Sequence, residues 1–187
     1  MKINSRNELP EVLLKRGLDV GAEIGVFKGE YTERFCKAGL NIYAIDPWMP
    51  FWGQGRTQNK QEVQDGYFFE AIERLKPYSD SCTIIRKTSM DALADFKDES
   101  LGFVYIDGDH SFKHIAADIV EWEKKVKKGG IVAGHDYFNT APHANNVLCH
   151  VKSVVDAYVD CFDKELYIYG DEHGEGKERK KSWLFVK

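Results

Sequence analysis

A chain of 187 residues has the size of one domain and leaves too little for two independent cores. Its 43% hydrophobic and 30% charged residues fit a globular protein and exclude a disordered tail, a collagen or a coiled coil. The balance of 30 acidic against 26 basic residues gives a net charge of −4, which argues against a dedicated nucleic-acid binder, whose affinity rests on phosphate contacts.

In chain order, Leu9, Val12 and Leu13 among the charges of 7–16 predict a short leading helix. Apolar bursts at 22–26, 42–45, 83–85, 103–106 and 131–133 then read as strands. Between and after them, amphipathic stretches at about 29–38, 60–76, 89–95, 111–127 and 146–162 read as helices. This alternation predicts a doubly wound α/β fold with a parallel sheet covered on both faces. Trp122 falls at helical spacing with Ile115, Ile119 and Val126 and reads as core, and Gly129-Gly130 behind the lysine-rich helix end reads as a helix stop. Leu166 to Tyr169 and Trp183 to Val186 flank a charged, glycine-containing segment and read as an antiparallel pair, which brings the strand count to seven.

The segment 47–66, with Trp48, Phe51, Trp52, Gly53 and Gly55, departs from this rhythm and reads as a lid or substrate loop whose aromatic residues close over an acceptor or pack on the protein's own flank. The basic clusters at 124–128 and 177–181 read as solvated faces, and Cys36, Cys82, Cys149 and Cys161, with no Cys-x-x-Cys spacing, as reduced packing residues. No apolar run approaches the roughly 18 residues of a membrane span, and the first residues lack a signal peptide's apolar segment, so a cytoplasmic protein without a membrane partner is expected.

In an open parallel sheet, ligands bind beyond the carboxyl ends of the strands, so the polar residues that end each burst carry the chemistry. Glu23-Ile24-Gly25-Val26-Phe27-Lys28-Gly29 ends the first burst with glycines that allow a tight turn and a close backbone approach. It lacks the G-x-G-x-x-G dinucleotide fingerprint and a Lys-Ser/Thr phosphate cradle, which suits a nucleoside and argues against an NAD-dependent dehydrogenase. Asp46, 21 residues past Gly25, can accept from both hydroxyls of a ribose. The fourth burst ends in Asp107-Gly108-Asp109-His110 and the fifth in His135-Asp136-Tyr137. Convergence of Asp107, His135 and Asp136 can hold a divalent cation, place a general base or form a stiffening network, and the sequence leaves all three open. His110 and His135 are the base candidates, imidazole being the side chain that titrates near neutral pH. His114, His143, His150 and His173 show no ligand spacing and read as surface or hydrogen-bonded residues.

Taken together, Glu23-x-Gly25-x-x-x-Gly29, Asp46, Tyr105-Ile106-Asp107-Gly108-Asp109-His110-Ser111 and Lys128-Gly129-Gly130-Ile131-Val132-Ala133-Gly134-His135-Asp136-Tyr137 resemble the class I S-adenosylmethionine-dependent methyltransferases, over about 18–187. The resemblance is to the branch with Ile-Asp-Gly-Asp-His after strand four and His-Asp-Tyr after strand five. It implies a Rossmann-like seven-stranded sheet with an antiparallel C-terminal strand. It also implies S-adenosylmethionine as cofactor, with Glu23, Gly25 and Gly29 against the methionine part, Asp46 on the ribose, Ser89 and Met90 beside the adenine, and Asp107 nearby. A cation site at Asp107, His135 and Asp136 would depart from the family's oxygen-rich pattern, because a histidine stands in one place. The activity so implied is methyl transfer to an oxygen or nitrogen of a small molecule, with a non-catalytic cofactor-binding scaffold as the alternative. The acceptor and the oligomeric state, a homo-oligomer included, stay open.

Overall fold

The computed structural model describes residues 2–50, 60–140, 149–170 and 181–187. A leading helix α1 (Leu9–Lys15) precedes β1 (Val20–Ile24), α2 (Glu30–Ala38), β2 (Asn41–Ile45), α3 (Gln61–Leu75), β3 (Cys82–Ile85), α4 (Ser89–Ala92), β4 (Leu101–Ile106), α5 (Phe112–Lys125), β5 (Val126–Gly134), α6 (Val151–Cys161), β6 (Tyr167–Tyr169) and β7 (Ser182–Val186). The strands form one sheet in the order β3-β2-β1-β4-β5-β7-β6. The first five pair in parallel, and β7 runs antiparallel between β5 and β6, as the alternation and the closing pair of apolar runs predict.

Period-two alternation along the central strands explains the layers. Phe103 and Tyr105 of β4, Ile131 and Ala133 of β5 and Leu184 of β7 face a core with Leu9 and Leu13 of α1 and Phe35 of α2. Val104, Ile106, Val132, Trp183 and Phe185 point the other way, onto Ile115, Ile119 and Trp122 of α5 and Val155 of α6. Trp122 is fully buried, as its spacing predicts. Among the described residues no helix is long and apolar enough to cross a membrane.

One expectation needs correction, and two that the sequence left overlapping or open are decided. Gly129-Gly130 does not stop α5, which ends at Lys125 and passes directly into β5. Lys187 Nζ instead donates to the carbonyls of Lys124 (3.4 Å) and Val126 (2.8 Å), so a cation from the far end of the chain closes that helix. The glycines serve the strand: Gly129 has φ +78°, and a Cβ on Gly130 would lie 2.4 Å from the carbonyl oxygen of Gly102, where the β4–β5 register shifts. The segment 47–66 is not all loop, because its last six residues, from Gln61, open α3. Of the two readings of the loop aromatics, Trp48 takes packing on the protein's own flank: it is 1% exposed, packs on Phe68 and donates from Nε1 to the carbonyl of Phe27 at 2.8 Å. Phe51, Trp52, His143 and His173 lie outside the described residues.

Candidate active site

The crevice opens where strand order reverses, between β1 and β4. The turn leaving β1 has three left-handed residues, Gly25 (φ +90°), Phe27 (φ +54°) and Gly29 (φ +75°). The two glycines carry the conformation at no steric cost, whereas Phe27 is held there by its surroundings. Asp46 supplies much of that hold. Its Oδ2 accepts from the backbone N–H groups of Val26 (3.0 Å) and Phe27 (2.9 Å), and its Oδ1 accepts from Trp48 N–H (2.8 Å). Burial nevertheless raises the Asp46 carboxyl above the ordinary aspartate range, against the lowering effect of those three donors. Sequence reasoning singled out this aspartate for a ribose and missed its part in the turn. Asp46→Ala should therefore lower stability by about 1–3 kcal/mol through orphaned donors, read by thermal unfolding, and a variant of unchanged stability would remove Asp46 from the fold of the turn.

Two lobes share Gly25, Asp46 and Gly108. The first, about 450 Å³, is lined by Glu23, the turn, Asp107 and His110, together with Arg6 from the short helical turn ahead of α1. Glu23 is 2% exposed and accepts a hydrogen bond from the Thr32 hydroxyl; burial outweighs that bond and pushes its carboxyl up to about 8. The second lobe, about 380 Å³, is an apolar slot of Ile24, Ile45, Pro47, Met49, Met90 and Ala117 with Ser89 and Asp118 at its wall. Both volumes fall in the range of small-molecule sites.

Sequence reasoning placed Ser89 and Met90 here and missed Asp118, which nothing in a lone mid-helix aspartate signals. Trp122 Nε1 donates to Ser89 Oγ at 3.1 Å, and the Ser89 hydroxyl donates to Asp118. Burial pushes the Asp118 carboxyl from 3.8 up to about 6. Between those two pH values the folded chain keeps a proton that the unfolded chain has released, so stability falls as pH rises through the window. Asp118→Asn should flatten that fall and gain on the order of 2–3 kcal/mol at pH 7. Parallel pH–melting curves for the two proteins would contradict it.

At the strand tips, His110 Nε2 lies 3.4 Å from Asp107 Oδ1 and 3.3 Å from Asp136 Oδ2. Asp136 has φ +54°, and its side chain is 10% exposed. His135 Nδ1 is 3.5 Å from Asp136 Oδ1 and 4.0 Å from Asp107 Oδ1, and its buried Nε2 has no hydrogen-bond partner. The three residues expected to converge, Asp107, His135 and Asp136, thus lie together, and His110 joins them, standing closer than His135 to both carboxylates. Asp107, His110 and Asp136 each offer one ligand atom within 4.8 Å of the others. His114 and His150 are hydrogen-bonded, to Ser111 Oγ (2.8 Å) and from Phe112 N–H (3.2 Å).

A family model described as a methyltransferase domain matches residues 22–137, more than half of the chain. Uncharacterized protein y4gI of Sinorhizobium fredii is 25% identical over 120 residues, 61% of this chain and 12% of its own length. Uncharacterized protein R132 of Acanthamoeba polyphaga mimivirus is 27% identical over 117 residues, 62% of this chain and 50% of its own length. The chain therefore aligns with half or less of these curated relatives. Among solved structures, an O-methyltransferase from Bacillus cereus in complex with SAH superposes with TM-score 0.68 at 14% identity, covering 97% of this chain and 80% of that one. The O-methyltransferase TomG from Streptomyces achromogenes, in complex with SAM, gives 0.70 at 14% identity over 97% and 79%. An rRNA methylase from Streptococcus thermophilus gives 0.66 at 14% identity over 100% and 99%. At such identities the likeness is one of fold.

Proposed function

The chain belongs to the methyltransferase domain family, and from that premise we propose that it transfers a methyl group from S-adenosylmethionine to an oxygen or nitrogen of a small molecule. The observation that carries this reading is the pair of lobes joined at Gly25, Asp46 and Gly108. One is an apolar slot suited to adenine, the other a charged chamber suited to an amino-acid end, and Asp46, which lines both, is suited to a ribose between them. When bound, S-adenosylmethionine supplies a methyl group on a sulfonium, which is already an activated donor. The protein's own part is to hold the acceptor in line and remove one proton. His110 is the base: an acceptor proton taken on its ring leaves an imidazolium that Asp107 and Asp136 flank at 3.4 and 3.3 Å and stabilise.

The same three residues fit a divalent cation that tolerates nitrogen, such as zinc, iron or nickel, better than magnesium. When bound there, such an ion would supply Lewis acidity to an acceptor oxygen. The small-molecule acceptor is favoured by the net charge of −4 and by Glu30, Asp107 and Asp109 along the crevice, which repel a phosphate backbone.

Incubation with methyl-labelled S-adenosylmethionine and separate pools of phenols, sugars, amines and ribosomal RNA tests the reading. Label in a small-molecule pool is expected. Label confined to RNA would overturn the acceptor class, and cofactor binding with no transfer to any pool would favour the scaffold.

A further inference from the structure

Arg6 lies outside the segment 22–137 that matches the family model, on the short helical turn Arg6–Glu8 ahead of α1, yet it reaches the first lobe of the crevice. Its position there is built. The Tyr31 hydroxyl donates to the Arg6 carbonyl at 2.7 Å, and the Arg6 guanidinium lies over the Tyr31 ring, 4.7 Å from the centroid. Arg6 Nη1 stands 3.9 Å from Asp107 Oδ2, an electrostatic pairing beyond hydrogen-bond length. Glu23 shares the lobe, buried to 2% exposure, with one hydrogen bond from Thr32 to its Oε2. A buried carboxylate whose neighbours include Asp107 is a place where an incoming cation is strongly favoured. The lobe thus sets a planar cation beside a buried carboxyl that an incoming ammonium would hold in its ionised form, the complement of a zwitterion.

We propose that Arg6 recognises the α-carboxylate of the cofactor's amino-acid end through its planar fork, beside Glu23, which the family resemblance already sets against the methionine part. This rests on the reading of the crevice as an S-adenosylmethionine site, and it adds a contact from a segment before the family match. A guanidinium matches a carboxylate with two parallel N–H donors, which a lysine in the same place cannot do. Discrimination between S-adenosylhomocysteine and 5′-methylthioadenosine follows, because the two share the adenosine and the thioether and only the first carries the zwitterion.

Calorimetric titration of the wild-type chain, Arg6→Met and Arg6→Lys with both ligands tests the assignment. S-adenosylhomocysteine affinity should fall about 10- to 100-fold in Arg6→Met, as expected for a lost charge-assisted pair. Affinity for 5′-methylthioadenosine should stay within about twofold. Arg6→Lys, which keeps a cation over Tyr31 and with it the local packing, should fall between the two for S-adenosylhomocysteine alone. Equal weakening of both ligands, or no weakening of either, overturns the role of Arg6 while leaving the cofactor site standing. A wild-type chain that binds neither ligand overturns the cofactor reading and this proposal with it.

Discussion

Replacing His110 with alanine should lower turnover by about 10²- to 10⁴-fold, the usual contribution of a positioned general base, while leaving S-adenosylhomocysteine affinity nearly unchanged. The reason is geometric. Among the described residues His110 is the one imidazole with a nitrogen within 3.4 Å of both Asp107 and Asp136, so its loss removes the proton acceptor and leaves two carboxylates facing one another. Added imidazole should restore part of the rate, because the small ring can enter the space left by the side chain. Turnover should also survive treatment with a chelator. Activity lost on chelation and regained with zinc or nickel would transfer the role of these residues to a metal ion, and a His110→Ala enzyme of full activity would remove His110 from the chemistry.

Gly25→Ala should be the most damaging single change in the crevice. A Cβ at this position would lie 2.2 Å from the Asp107 carbonyl oxygen and 2.5 Å from its carbon, both backbone atoms, and φ is +90°. Neither obstacle can be relieved by turning a side chain, so β1 and the tip of β4 must separate. The expected loss is on the order of 3 kcal/mol of stability, or roughly 6–12 °C in melting temperature for a chain of this size. Gly25 borders both lobes, and displacement of about an ångström there should also weaken S-adenosylhomocysteine binding about 100-fold or more. A variant with wild-type melting and affinity would show that the close approach of the two strand ends is not required.

The strand tips were legible in the sequence because each chemical residue directly follows an apolar run that has no other place than the centre of a sheet. Asp46 and Asp107 follow that rule and His135 and Asp136 nearly so, with His110 three residues past Asp107; strand order then brings Asp46, Asp107 and His110 to the crevice and sets His135 and Asp136 beside the last two. Legibility ended where a residue's role depends on something distant in the chain. The left-handed Phe27 is invisible as a turn former without Asp46, 19 residues later, to accept its N–H. Trp48 reads as a loop aromatic until α3 brings Phe68 against it. Gly129-Gly130 carries the composition of a helix stop, whereas α5 ends earlier, at Lys125, with the distant Lys187 ammonium on the carbonyls of Lys124 and Val126. Arg6 and Asp118 were missed for the same reason: one charged residue in a charged segment carries no local signal until tertiary structure points it at a cavity. Cys36 of α2 and Cys82 of β3, apart in sequence, likewise share one apolar cluster as free thiols, a proximity that spacing alone does not announce.

One crevice receiving one nucleoside-bearing amino acid is the central proposal, and a crystal structure of the chain grown with S-adenosylhomocysteine tests it most directly. The adenine should lie in the slot between Ile24, Ile45 and Met90 with Ser89 and Asp118 at its edge, the ribose at Asp46, and the amino-acid end in the chamber of Glu23. A ligand bound on another face, or turned so that its adenine fills the charged chamber, would contradict the account.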